Sequence, residues 1–228
     1  MFQKSMKVVA IAALAAALVA MTGVASAQSS PAQTTTKLPV LVDYYSSLTD
    51  ETVWVDGTLR ITNFGSTGGG PAPNGNLCAM IYVFDTQEEL QECCGCVLTP
   101  DGLRTLSVFY DLTHNPNNNE VLNTGEIKIL TAPPNSGGSC DPSFGGPAGT
   151  VTLGGALAAW GTHVQFSGSV ATGATPNSAI DNGVQVTETA AQLENASAAD
   201  VNRVAKFLCG SIVQNSSGRG ICTCGSGE

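Results

Sequence analysis

Short apolar stretches alternate with clusters of Gly, Pro, Asn and Asp along most of the chain. From Leu38 to Tyr45 every second residue (Leu38, Val40, Val42, Tyr44) is apolar and falls on one face, which predicts a strand. Val53 to Asn63 holds two apolar stretches around Asp56-Gly57, a pair suited to a tight hairpin. Phe64 to Asn76 is a Gly/Pro-rich loop. Leu77 to Phe84 is an unbroken apolar run, as expected of a central strand buried on both faces. Thr86 and Glu89 then form a capping-box pattern that predicts a short helix through Leu90 to about Cys94. Glu88, Glu89 and Glu92 would lie in its first turns, where the helix dipole favours negative charge.

Further strands are expected over Leu103–Leu112, Glu126–Ala132, Thr150–Leu153, Leu157–Phe166 and Val184–Thr189, the last announced by the turn Asp181-Asn182-Gly183. Val201, Val204, Ala205, Leu208 and Ile212 recur at helical spacing behind Ser197 and Asp200, which predicts a helix from Ala198 to Val213 with Cys209 beside its apolar stripe. Many short strands and two helical pieces argue for a mainly β fold: an antiparallel β-sandwich, Ig-like or jelly-roll-like, with one short helix after the central strand and one C-terminal helix.

The first residues fit a different purpose. Lys4 and Lys7, the apolar run Val8–Met21 and Ala25-Ser26-Ala27 have the order of a secretory signal cleaved near Ala27. At about 14 residues that run is short of the roughly 20 a membrane span requires. The expected organisation is a signal peptide (1–27), a flexible polar leader (28–37) and one disulfide-rich domain (38–228), with no membrane span after signal removal. The address is then secreted, periplasmic or cell-surface.

Composition narrows the class. Of 228 residues 43% are hydrophobic and only 12% charged, the reverse of a disordered chain. Residues 28–228 carry seven Lys and Arg against 18 Asp and Glu, a formal charge of −11 that repels nucleic acid and anionic lipid. All eight cysteines (Cys78, Cys93, Cys94, Cys96, Cys140, Cys209, Cys222 and Cys224) follow the signal, and an even count in an exported chain reads as disulfides. Cys93 and Cys94 are too close along the chain for a relaxed bridge, so each must reach a different partner. The same holds, less strongly, within Cys94/Cys96 and within Cys222/Cys224. The expected product ties the Cys93-Cys94-Gly95-Cys96 cluster to distant segments, the C-terminal one included.

Catalytic chemistry is thinly represented. No Gly-x-Ser-x-Gly elbow occurs, and the only histidines are His114 and His163. Glu88, Glu89 and Glu92 are a carboxylate cluster of the type glycosidases use, although a helix start explains them as well. Trp54, Trp160, Tyr45 and Tyr110 are candidates for a sugar-stacking platform if exposed, or for the core. Asp111, Asn117, Asn119 and Glu120 offer oxygen ligands for calcium but lack EF-hand spacing. The cysteine spacings are too tight for a zinc pair, and no phosphate loop or dinucleotide fingerprint is present. Asn195 and Asn215 begin glycosylation sequons.

The stretch Leu77-Cys78-Ala79-Met80-Ile81-Tyr82-Val83-Phe84-Asp85, the segment Glu89-Leu90-Gln91-Glu92-Cys93-Cys94-Gly95-Cys96, the strand Leu103–Val108 and the terminal Gly220-Ile221-Cys222-Thr223-Cys224-Gly225 together resemble a group of uncharacterised secreted bacterial proteins. The resemblance implies export and the cysteine framework, and carries no activity, cofactor or catalytic residue with it. The expectation is an exported, non-enzymatic structural, adhesive or binding protein of the cell envelope or matrix. Its partners would be another copy, an envelope protein or a glycan, with Leu38, Val40, Val42 and Tyr44 as a candidate assembly strand. The alternatives are a secreted polysaccharide hydrolase and a periplasmic thiolate metal-binding protein.

Overall fold

The computed structural model describes residues 37–49, 54–65, 75–113, 122–143, 157–166, 184–215 and 221–225. In chain order these form β1 (Lys37–Ser46), β2 (Leu48–Thr49), β3 (Trp54–Val55), β4 (Thr58–Asn63), β5 (Leu77–Phe84), β6 (Leu90–Leu98), β7 (Leu103–Ser107), a π-helical turn (Val108–Leu112), β8 (Thr124–Ala132), β9 (Leu157–Phe166), β10 (Val184–Ala190) and β11 (Gln192–Ser197). A helix, α1, follows in three consecutive pieces: Ala198–Asn202, the π-helical Arg203–Cys209, and Gly210–Asn215.

Nine strands make one sheet, in the order β6-β5-β8-β1-β9-β4-β7, with β10 on β9 and β11 on β1; β2 and β3 pair separately. The ladders are antiparallel except where Ser46 of β1 meets His163 of β9. The two facing layers expected of a sandwich are therefore continuous, and the sheet curls nearly into a barrel. Ala191 separates β10, which pairs with β9, from β11, which pairs with β1, so one extended segment crosses from layer to layer.

Strand alternation sorts the side chains into two cores. Leu59, Ile61, Ala79, Ile81, Val83, Leu106, Ile127 and Ile129 fill the interior between the layers. Val40, Val42, Met80, Tyr82, Phe84 and Leu130 point the other way and are covered by Val201, Ala205 and Cys209 of α1. β5 thus has every residue buried, which is why its sequence shows no polar alternation. Ser197 caps α1, its Oγ accepting from the Asp200 N–H at 3.1 Å.

The same alternation resolves the cysteine cluster. Cys93 faces α1 and bonds Cys209, while Cys94 and Cys96 face the interior and bond Cys222 and Cys224. Cys78 bonds Cys140, and no cysteine is free among the described residues. Gly95 is required here: a Cβ on it would lie 2.6 Å from the Cys140 carbonyl oxygen. Residues 221–224 run along the outer side of β6, with a parallel bridge between Cys93 and Ile221 and a 3.2 Å bond from the Cys222 N–H to the Cys93 carbonyl. Thr223 donates its N–H to the Asp111 carbonyl at 2.9 Å and its hydroxyl to the Asp111 carboxylate at 2.7 Å. Since β6 and β7 end the sheet and Asp111 lies just beyond β7, this segment straps the seam that keeps the barrel from closing.

Several expectations change. The predicted helix after β5 is a hairpin turn leading into β6. Asp85, not Thr86, organises it: its Oδ1 accepts the Gln87 and Glu89 N–H groups at 2.8 and 2.9 Å, and Glu88 takes the left-handed conformation at φ 64°. Asp56-Gly57 is not a hairpin, because β3 pairs with β2 whereas β4 pairs with β7 and β9. The strand expected through Leu112 ends at Ser107, whose Oγ caps the π-helical turn by accepting the Tyr110 N–H at 2.8 Å. The candidate assembly strand is used within its own sheet: Leu38, Val40 and Val42 pair with β11, and Val42 and Tyr44 with β8. Leu41 and Val42 have partners on both sides, whereas Leu38 and Val40 are paired to β11 alone and Tyr44 to β8 alone. Thr150–Leu153 and Asp181–Gly183 lie outside the described residues.

Candidate functional site

The outward face of β7, β4, β9 and β10 is the part of the sheet that neither core uses. In register, Thr105, Arg60, Trp160 and Ala190 form one row across the four strands. Leu103, Thr62 and Ala158 form the next. On the other side of the Trp160 row, Thr162 of β9 stands opposite Glu188 of β10. Arg60 and Glu188 form an ion pair that passes over β9. Arg60, Thr62, Phe64, Leu103, Trp160 and Glu188 line an open depression of about 660 Å³. Phe64 and Leu103 are 48% and 57% exposed on its rim.

Of the described aromatic side chains expected as a platform, this face holds Trp160 alone. Tyr45 is buried in the interior, its hydroxyl donating to the Phe84 carbonyl at 3.2 Å. Tyr110 is exposed on the π-helical turn, edge-on to Phe109, and the Trp54 side chain lies outside the described residues. Phe64 was legible only as the first residue of a loop.

A second polar group gathers at the junction of β1 and β9. His163 Nε2 lies 2.6 Å from Thr189 Oγ1 and 3.5 Å from Asp43 Oδ1. Burial pushes the Asp43 carboxyl up from its ordinary range, and His163 draws it partly back. Asp43 leaves no room across the gap, since a Cβ on Gly161 would fall 1.9 Å from its Oδ2. The carboxylate and the hydroxyl meet the same ring nitrogen. A nucleophilic triad instead needs the acid on one nitrogen and the nucleophile on the other, so these three groups do not make one.

The remaining sequence candidates disperse. Glu88 and Glu89 are exposed in the β5–β6 turn, and Glu92 is buried in β6. Asp111 is engaged by Thr223 and by the Ser107 N–H; Asn117, Asn119, Glu120 and His114 lie outside the described residues. The sulfur atoms of Cys94, Cys96 and Cys224 lie within 4.8 Å of one another, but they belong to two neighbouring disulfides, which offer a metal no thiolate. Asn195 is exposed on β11. No helix among the described residues is long and apolar enough to cross a membrane.

No family model, curated protein or solved structure matches this chain.

Proposed function

We propose that the chain is an exported, non-enzymatic binding or structural module of the cell envelope or extracellular matrix. The observation that carries the reading is the seam strap, where two adjacent disulfides and the Thr223–Asp111 bonds hold residues 221–224 against β6 and the turn after β7. Such a closure forms and persists in an oxidising compartment, which agrees with a signal sequence over residues 1–27. Two further observations weigh against catalysis. His163 presents one nitrogen to both of its partners, and the depression around Trp160 has a single carboxylate, Glu188, among its described lining residues. Glycoside hydrolysis calls for two carboxylates facing each other across the groove.

Intact mass spectrometry of the protein recovered from the producing cells tests the reading. Cleavage near Ala27, a mass eight hydrogens light and no alkylation after denaturation are expected. A chain that keeps residue 1, stays inside the cell and alkylates at several cysteines would overturn it.

A further inference from the structure

We propose that the outer face of β7, β4, β9 and β10 binds a neutral polysaccharide, one sugar ring stacking on Trp160 while its hydroxyls bond Arg60 and Glu188. This deepens the preceding reading by giving the non-catalytic module a ligand. Three features point to this chemistry. Trp160 is partly exposed, and of its outward neighbours Ala158 along β9 and Ala190 across on β10 are small, with Thr162 on the other side along β9. On its other side stands Arg60, whose side chain crosses β9 to the ion pair with Glu188. The flat apolar ring is thus bordered by one strong donor and one strong acceptor.

Charge then selects among ligands. Arg60 and Glu188 neutralise each other within the depression, so neither a cationic nor an anionic polymer finds an unmatched charge there. The formal charge of −11 on residues 28–228 further disfavours anionic polymers. A sugar hydroxyl both donates and accepts, so neighbouring hydroxyls can serve Glu188 and Arg60 together. The C–H face of a pyranose supplies the apolar surface that the ring requires. Shape sets the size of the ligand. Sites for small molecules enclose most of their ligand, whereas this depression is open, and Phe64 and Leu103 continue the apolar surface beside Trp160. A chain laid across the strands uses all of it.

The test is affinity electrophoresis of the oxidised protein through gels containing hydroxyethyl cellulose, laminarin, galactomannan or dextran, with alginate as the anionic comparison. Retardation by at least one neutral polymer is expected. Trp160→Ala should weaken it more than tenfold, and Trp160→Phe, which keeps an aromatic face, should hold it within about threefold. Glu188→Gln leaves Arg60 unpaired and should weaken neutral binding while raising retardation by alginate. Each variant must keep four disulfides by mass, so that lost binding is not lost folding. The proposal is overturned if no neutral polymer retards the protein, if Trp160→Ala behaves as wild type, or if alginate retards wild type most. Assaying the same polymers for new reducing ends separates the two readings. Release of ends would refute the non-enzymatic reading and support the site, whereas absence of retardation would refute the site and leave the mass result standing.

Discussion

Glu92 stands on β6 opposite Val83, and its side chain shares the interior face with Cys94 and Cys96. It is 1% exposed, and its Oε1 has no hydrogen-bond partner among the described residues. Burial pushes its pKa up from 4.5 to about 8, so the folded protein holds a proton that the unfolded chain releases near pH 4.5. The folded state thus binds more protons across that interval, and stability falls as pH rises from about 4.5 to about 8, then levels off. Glu92→Gln removes the titration. Melting curves at pH 5 and pH 8 should show wild type losing stability, on the order of a few kcal/mol, and the variant losing less, its remaining slope coming from groups such as Asp43. Sequence alone concealed this residue. Three acids in five positions behind a Thr look like a helix start, and only the left-handed turn at Glu88 puts position 92 on a strand with its carboxyl inward.

Among the elements, β1, β4, β5, β8, β9, β10 and α1 were readable because each carries an apolar run or a stripe with the right period. β11 (Gln192–Ser197) was not readable, since it is exposed over most of its length and is held by backbone pairing to β1. Pairing partners were equally hidden: β1 looks like an edge strand on a leader, yet it joins β8 to β11 and β9. A version starting at Ser47 removes that joint and bares the backbone of β8. Size-exclusion chromatography should show it aggregated, whereas residues 28–228 give a discrete species. The disulfides make an element-scale prediction as well. With Cys93–Cys209 in place, Cys94–Cys222 closes a ring of about 15 residues, worth about 3 kcal/mol in the chain-entropy model. Cys96–Cys224 then closes a ring of only about six, worth about 2 kcal/mol. Denaturant unfolding should show the C96A/C224A pair costing less than the C94A/C222A/C96A/C224A quadruple variant by about 3 kcal/mol.

For the whole molecule, the candidate site was half legible. Trp160 was identifiable as a possible platform, but its setting comes from β4, β7 and β10, whose neighbouring residues lie about 30 to 100 positions away. Of the cysteine framework, adjacency alone made the exclusion of Cys93–Cys94 legible, whereas the strand alternation that sorts the bridges was hidden behind the helix expected through Cys94. Most ladders join distant segments: Lys37 meets Ser197, and Leu59 meets Gly161. Such topology folds slowly, with partners for the early strands arriving late in synthesis. Because Cys94 and Cys96 bond Cys222 and Cys224, a polypeptide broken off before position 222 lacks both bridge partners and leaves the edge of β6 uncovered.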